Sequence, residues 1–175
     1  MTRAILSLGS NLGDRLGHLR AAVTALEPVL VTVSGVYETP PWGDPDQPSY
    51  LNAAAVVRDD AATARDWLHR AQEIETTEGR VRDPERQFGP RTLDVDVIAV
   101  FDAEGRPVRS ADPELTLPHP RAHLRAFVLL PWAELDPAAE LPGRGPVAAL
   151  LRTEPAASDV AAVRARPDLR IQSAG

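Results

Sequence analysis

The chain of 175 residues contains neither cysteine nor lysine. Without cysteine, disulfide bonds and thiolate metal sites are excluded, and a reducing cytoplasm is a compatible environment. All nineteen basic residues are therefore arginine. Any role that a similar protein gives to a lysine must be filled here by another group.

Several common signals are also missing. No apolar run approaches the length of a membrane span, and the N-terminal stretch leads into Gly9 and Ser10 instead of a signal-peptide cleavage region. There is no Walker loop, Gly-x-Ser-x-Gly elbow or zinc-ligand spacing. The net charge of −6 argues against a general nucleic-acid binder. We therefore expect a cytoplasmic protein that binds neither membranes nor nucleic acid.

The length is that of one domain. We predict a single domain over residues 1–175, with a weakly patterned C-terminal tail from about residue 153. Strands are predicted over residues 4–8, 29–37, 53–57 and 93–100. A first helix, with Asn11 as its N-cap, is expected to end before Pro28, and a second to run from an Asp60 cap to about residue 77, with Gly79 closing it. Shorter elements are predicted over residues 115–117 and 147–152.

Asp94 and Asp96 lie in a segment that alternates between aliphatic and other residues over positions 93–98. The period of two in a β-strand sends both carboxylates to one face and three aliphatic side chains to the other. Two carboxylates at this spacing can hold one or two hard cations. Mg²⁺ suits them, because it keeps some water ligands and takes others from substrate phosphates.

Arginines surround the acidic pair, and their planar guanidinium groups match phosphate oxygens. They are Arg80, Arg82, Arg86 and Arg91. Acids and arginines together suggest metal-assisted chemistry on a phosphate ester or anhydride. The alternative is a solvated strand face on which the aspartates form salt bridges with the arginines.

Two loops have two interpretations each. Residues 39–48 contain four prolines, and their length suggests a working loop. Trp42 within this loop and Tyr50 just after it are either hinge packing or a platform for a flat ligand. The basic side chains after residue 118 form either a second phosphate-facing cluster or a polar loop before a helix. They are His119, Arg121, His123 and Arg125.

Five stretches, in this order, resemble the 6-hydroxymethyl-7,8-dihydropterin pyrophosphokinase family of the folate pathway. They are residues 8–14 (LGSNLGD), residues 37–43 (YETPPWG), Gln47 with residues 50–52 (YLN), residues 89–97 (GPRTLDVDV) and residues 117–121 (LPHPR). The resemblance covers about residues 4–135 with family-like spacing.

This resemblance implies an α+β fold, a ferredoxin-like α/β sandwich with helices packed against a mainly antiparallel sheet. It implies an enzyme in which ATP donates its terminal pyrophosphate to the hydroxymethyl group of the pterin and AMP is released. The implied ligands are ATP as co-substrate, two Mg²⁺ ions and a dihydropterin alcohol. We expect a monomer whose partners are these small molecules.

Site residues also follow from the resemblance. Asp94 and Asp96 would bind both Mg²⁺ ions and, with Arg82 and Arg91, form the catalytic group. The residues implied for ATP are Gln72, Glu75, Arg82, Arg91, Val97, Thr116, His119 and Arg125. The residues implied for the pterin, which would lie between two aromatic rings, are Thr39, Pro40, Pro41, Trp42, Gly43, Tyr50, Asn52 and Phe127.

The chain departs from the family pattern at a few positions. Asp83 and Pro84 stand where relatives often have a lysine, and Phe88 stands in place of a tryptophan. Glu114 and Pro120 stand where some relatives have an arginine and a tyrosine. The nucleotide contacts that the resemblance implies near residues 114–120 therefore match the family pattern least well. Two other hypotheses remain at this point: a two-metal nucleotide hydrolase that needs no pterin, and a non-catalytic module that binds a pterin or a nucleotide.

Overall fold

A computed structural model describes residues 1–41, 43–80, 84–85 and 90–172. Its strands are β1 (Thr2–Ser10), β2 (Leu30–Val33), β3 (Tyr37–Thr39), β4 (Tyr50–Asp59), β5 (Asp94–Asp102), β6 (Ser110–Asp112), β7 (Leu115–Leu117), β8 (Glu140–Leu141), β9 (Gly145–Pro146) and β10 (Arg164–Ala165). Its α-helices are α1 (Arg15–Leu26), α2 (Ala64–Thr77), α3 (Ala126–Leu135), α4 (Val147–Leu150) and α5 (Ala156–Val160).

The main sheet has β1 at its centre, paired antiparallel with β4 on one side and β5 on the other. Its order is β10-β3-β4-β1-β5, and β2 also pairs with β4. Helix α1 leads from β1 to β2 across β4, and α2 leads from β4 to β5 across β1. Since such crossovers are right-handed, both helices lie on the same face of the sheet. This arrangement is the predicted ferredoxin-like α+β fold.

The face beneath α1 and α2 carries the larger hydrophobic core. Leu6 and Leu8 of β1, with Val95 and Val97 of β5, pack there against buried residues of both helices, including Trp67. The indole Nε1 of Trp67 donates to Thr2 Oγ1 at 2.8 Å. The alternation predicted over residues 93–98 is therefore confirmed, with the aliphatic side chains on the helix-covered face.

The opposite face is covered by α3 over only part of its length. Ile5, Val56 and Ile98, one from each central strand, pack there against α3 residues such as Leu129 and Trp132. Beyond this second core the same face continues with polar residues, and these form the site described below.

Both predicted helix N-caps were wrong. Asp14, not Asn11, caps α1 by accepting from Gly17 N at 3.0 Å. Thr63, not Asp60, caps α2, in a capping box with Asp66. Each cap lies three residues after the predicted one, because the preceding strand runs on further than its apolar pattern indicates.

Strand boundaries differ from the predictions for related reasons. Gly9 and Ser10 lie beyond the strand predicted over residues 4–8, but they continue β1. The segment over residues 29–37 is divided between β2 and β3. Tyr50, which precedes the strand predicted over residues 53–57, is the first residue of β4. These residues are held by pairing with distant strands, which a local pattern does not show.

The end of α1 before Pro28 and the short elements β7 and α4 agree with the predictions. The C-terminal residues add an edge strand, because β10 pairs with β3. Ile171 near the end of the chain is buried in the larger core. Within the described residues no helix is long and apolar enough to cross a membrane.

Candidate active site

The sheet register brings two groups of polar side chains into one row. Gly9 of β1 is paired with Asn52 on β4 and with Asp94 on β5. Adjacent strands lie about 4.8 Å apart, so Asn52 and Asp94 are separated by roughly 10 Å across Gly9. Asp96 is paired with Ser7 in the row toward the core.

Gly9 leaves the space between these groups open. A Cβ atom at this position would lie 3.3 Å from Asn52 Oδ1 and 3.4 Å from a ring carbon of Tyr50. Any larger side chain would therefore push against both residues. Gly9 is thus part of the site floor.

A cavity of about 560 Å³ opens above this floor. Its volume is in the range of small-molecule sites in proteins. The predicted site residues that line it are Thr39, Pro40, Tyr50, Asn52, Gln72, Glu75, Arg91, Asp94, Asp96, Val97, Thr116, His119, Arg125 and Phe127. Pro41 and Gly43 are not among the lining residues. Trp42 and Arg82 lie outside the described residues, as do Asp83, Arg86 and Phe88.

Asp94 is held between two arginines. Arg80 Nη1 donates to its Oδ1 at 2.7 Å, and Arg91 Nη1 lies 3.2 Å from its Oδ2. Burial alone would raise the pKa of Asp94, but the charges of Arg91 and Arg80 outweigh burial and hold it below its usual value. Asp94 is therefore ionised and oriented.

Glu75 shares Arg80 with Asp94. Its carboxylate is buried, pairs with Arg80 Nη1 and accepts from Val95 N at 3.1 Å. The turn after α2 makes this possible, since Gly79 has a φ of +76° and lets Arg80 N donate to Glu75 O. Glu75, implied by resemblance as an ATP contact, here anchors Arg80.

Asp96 is less well neutralised. Arg125 Nη1 lies 3.9 Å from its Oδ2. Burial, followed by the negative charge of Asp94, raises the pKa of Asp96 to about 7. A cation between the two carboxylates would relieve this repulsion.

Asp94 and Asp96 fit a Mg²⁺ ion that takes its remaining ligands from water and substrate. Among the described residues no group of three or more acidic, histidine or cysteine side chains could hold a metal ion. Asp94 and Asp96 project from one face of β5 into the cavity. Mg²⁺ is commonly held by one or two carboxylates, with waters and substrate phosphates as the other ligands, and this pair meets that requirement.

His119 is neutral at physiological pH. Its backbone N donates to Ile98 O at 2.8 Å, which fixes the loop to β5. Its Nδ1 accepts from Arg121 N at 3.2 Å, so Nε2 carries the proton. Burial, with the positive charge of Arg125, lowers the pKa of His119 to about 4. The ring can donate a hydrogen bond without adding a charge.

The other side of the cavity is apolar and amide-rich. Asn52 Nδ2 donates to Thr39 Oγ1 at 2.9 Å, and both side chains are buried. Burial raises the pKa of the Tyr50 phenol further above its ordinary value, so the side chain remains uncharged. Phe127 also lines the cavity, and Arg125 Cζ is 5.6 Å from its ring centroid. Aromatic faces and a fixed amide suit a flat, hydrogen-bonding ligand.

Asn11 joins the two loops beside the cavity. Its Nδ2 donates to Gln47 Oε1 at 2.8 Å and to Pro48 O at 3.1 Å. Its Oδ1 accepts from Arg91 N at 2.9 Å. The proline-rich loop and the segment that carries Arg91 are thus tied to one buried side chain.

Sequence reasoning assigned no site role to several lining residues. Arg80 was noted as one of the arginines near the acidic pair, and Arg121 as part of an ambiguous basic loop; both line the cavity. Ser7 and Gly9 line it as well, and only the sheet register could have indicated them. His123 is not a lining residue.

Comparison with known proteins agrees with the resemblance seen in the sequence. A sequence model of the family described as 7,8-dihydro-6-hydroxymethylpterin-pyrophosphokinase (HPPK) matches residues 5–137. A Mycobacterium tuberculosis protein named 2-amino-4-hydroxy-6-hydroxymethyldihydropteridine pyrophosphokinase is 47% identical over 167 residues, 91% of this chain and 88% of that protein. A Bacillus subtilis protein of the same name is 41% identical over 136 residues, 75% of this chain and 77% of that protein.

Solved structures show the same fold. The wild-type Plasmodium falciparum HPPK-DHPS superposes with a TM-score of 0.59 at 12% identity, over 89% of this chain and 46% of that one. An HPPK-DHPS in complex with substrates gives a TM-score of 0.62 at 10% identity, over 94% of this chain and 46% of that one. This chain therefore spans less than half the length of those chains, and identities this low compare folds alone.

Proposed function

The chain belongs to the 7,8-dihydro-6-hydroxymethylpterin-pyrophosphokinase family, and we propose that it transfers the terminal pyrophosphate of ATP, with Mg²⁺, to the hydroxymethyl oxygen of 6-hydroxymethyl-7,8-dihydropterin. AMP and the pterin pyrophosphate are the products. The observation that supports this proposal is the row Asn52–Gly9–Asp94, in which a buried amide side chain and one of the two neighbouring aspartates lie on either side of a glycine.

The ATP side of the cavity carries positive charges that suit the negative charge distributed over the ATP phosphates. Arg80, Arg91 and Arg125 line the cavity beside Asp94 and Asp96. In this assignment the arginines exchange their contacts with the aspartates for contacts with ATP phosphates. Transfer at a phosphoryl centre depends mainly on alignment and charge neutralisation, so no covalent nucleophile is needed.

Asp94 and Asp96 hold the metal in this assignment. When bound, Mg²⁺ supplies positive charge to the phosphate oxygens and to the attacking alcohol oxygen. The contribution of the chain is the pair of carboxylates fixed on a rigid strand. Neutral His119 adds a hydrogen-bond donor on the nucleotide side without adding to the positive charge that already surrounds Asp94.

The acceptor side orients the pterin. Tyr50 and Phe127 provide aromatic faces for its rings, and Asn52, fixed by Thr39, provides an amide for its polar edge. In this assignment the hydroxymethyl group would lie above Gly9, toward the aspartates. Filling of the cavity by both substrates leaves little room for water, which would compete as an acceptor.

The proposal is tested by omitting one component at a time. The complete mixture of ATP, Mg²⁺ and the pterin alcohol should give pterin pyrophosphate, and Mg²⁺ removal by a chelator should stop it. The variant Asp96→Ala should be folded and inactive. Strong ATP turnover without an acceptor would instead support a nucleotide hydrolase, and binding of both ligands with no turnover would support a non-catalytic module.

A further inference from the structure

Glu38 is the centre of an ionic cluster outside the cavity. It accepts from Arg164 Nη2 at 2.6 Å, and Arg166 Nη1 lies 3.2 Å from the same carboxylate oxygen. On its other oxygen, Glu38 pairs with Arg15 Nη1 at 3.3 Å. One carboxylate thus connects the start of α1 with the C-terminal strand β10.

The cluster lies at both ends of the proline-rich loop. Glu38 directly precedes Thr39, where the chain leaves β3. Arg15 Nη1 also donates to the carbonyl of Ser49, where the chain enters β4, at 2.9 Å. A ten-residue loop, residues 40–49, is therefore closed at its base by Arg15 and Glu38.

The C-terminal segment that supplies two of these arginines is itself fixed to the body of the protein. Arg166 N donates to Val36 O at 2.8 Å and so extends the pairing of β10 with β3. Arg20 Nε on α1 donates to Arg170 O at 2.8 Å. Ile171 is buried in the larger core. The segment can therefore hold β3 from its outer edge.

What β3 holds in turn is the acceptor seat. Thr39 is paired with Tyr50 across the two strands, and its hydroxyl accepts the Asn52 amide. Displacement of β3 would move the partner that orients Asn52. A substitution at Glu38 can thus alter the orientation of Asn52 through the neighbouring residue Thr39, although Glu38 itself contacts no ligand.

We propose that Glu38 and the C-terminal arginines Arg164 and Arg166 are positioning residues, which hold β3 and the base of the loop over residues 40–49 so that the acceptor seat is preformed. The identification of the acceptor as a pterin rests on the proposed function, whereas the proposal that these residues hold the loop in place does not.

The electrostatics of the cluster support this role. The hydrogen bond from Arg164, with the charges of Arg166 and Arg15, holds the pKa of Glu38 below its usual value against the opposing effect of burial. A carboxylate bound by three guanidinium groups forms a network, which is worth more than an isolated surface pair. Glu38 remains largely shielded while Arg164 is mostly exposed, so Arg164 can be changed without opening the core.

The test uses three variants of the full chain: Glu38→Gln, the double variant Arg164→Gln with Arg166→Gln, and the same double change to lysine. Arg106→Gln is the control, since Arg106 is as exposed as Arg164 and forms ion pairs with Asp102 and Glu104 away from the cavity. The measurements are amide hydrogen exchange of residues 43–49, and kcat and KM for ATP and for the pterin alcohol.

For Glu38→Gln and the glutamine double variant, we expect exchange of residues 43–49 to be about fivefold faster, and KM for the pterin to rise about fivefold to tenfold. KM for ATP should change less than about twofold. In the lysine double variant, loop exchange and the KM for the pterin should be close to those of the unaltered chain. Arg106→Gln should change neither.

Unchanged loop exchange in both Glu38→Gln and the glutamine double variant would overturn the proposal, as would an equal effect of Arg106→Gln. An equal rise in the KM for ATP would overturn it too, because a merely structural defect affects both substrates. If the unaltered chain transfers nothing to the pterin, the proposed function fails, while loop exchange alone still decides the role of Glu38.

Discussion

Asn11 and Arg91 exchange two hydrogen bonds across 80 positions of sequence. Asn11 Oδ1 accepts from Arg91 N at 2.9 Å, and Asn11 N donates to Arg91 O at 3.2 Å. The backbone of Arg91 is thereby fixed three residues before Asp94, where its guanidinium group reaches the carboxylate. The buried side chain of Asn11 thus fixes the segment that leads into β5 and also holds the proline-rich loop.

The first prediction concerns this amide. Asn11→Ala removes one hydrogen bond each from Arg91 N, Gln47 Oε1 and Pro48 O, so the free energy of unfolding should fall by about 1–3 kcal/mol. Gln47→Ala removes one of these bonds and the bond from Gln47 Nε2 to Asp44 O, but it keeps the bonds of Asn11 to Arg91 N and Pro48 O and should cost less. Urea denaturation of both variants checks the order. Equal stability of Asn11→Ala and the unaltered chain would show that water replaces the amide.

Substitutions of the two aspartates should affect the free energy of unfolding differently but should lower the activity alike. Asp94→Asn removes the anion between Arg80 and Arg91 and should cost about 1–3 kcal/mol. Asp96→Asn removes one of two repelling carboxylates and should change stability by less than about 1 kcal/mol. Both variants should lower kcat at least about 100-fold. Equal destabilisation by both changes would contradict this account of the arginine clamp.

Mg²⁺ should bind cooperatively with the nucleotide. Asp94 is already held by Arg80 and Arg91, and ATP phosphates would draw both arginines away. Calorimetry should therefore find Mg²⁺ binding on the order of tenfold tighter with a non-hydrolysable ATP analogue than without it. Mg²⁺ affinity that does not depend on the nucleotide would contradict the exchange of contacts.

His119 should make stability depend on pH. Its folded pKa of about 4 lies below the ordinary value of 6.5, so between these values the unfolded state binds a proton that the folded state does not. Its favourable contribution is complete above pH 6.5 and is lost as the pH falls. Between pH 7 and 5 this should cost on the order of 1 kcal/mol. His119→Asn should show a weaker loss of stability over that range in denaturant titrations; an unchanged pH dependence would contradict the assignment.

Much of the fold followed from local patterns. The alternation around Asp94 and Asp96 predicted the strand and its two faces, because a period of two is a property of nearby residues. The apolar spacing of α2 and the position of Gly79 predicted that helix and its end. The resemblance supplied most of the lining residues, whose roles stay predictions.

Pairing over long distances could not be predicted in this way. Nothing in the sequence around Asn11 indicates that its partners lie at residues 47, 48 and 91. The weakly patterned tail gave no sign that Arg164 and Arg166 reach Glu38, since a two-residue strand has no periodicity. Local sequence also does not indicate that Gly9, which has no side chain, keeps open the space between Asn52 and Asp94.

The central claim is transfer of an intact pyrophosphate, and phosphorus-31 NMR of the complete reaction tests it most directly. With ATP, Mg²⁺ and the pterin alcohol, the β and γ signals of ATP should decline together while two coupled signals of the pterin pyrophosphate and one signal of AMP grow in equal amounts. Appearance of ADP with a single transferred phosphate, or of inorganic phosphate without a pterin product, would contradict it.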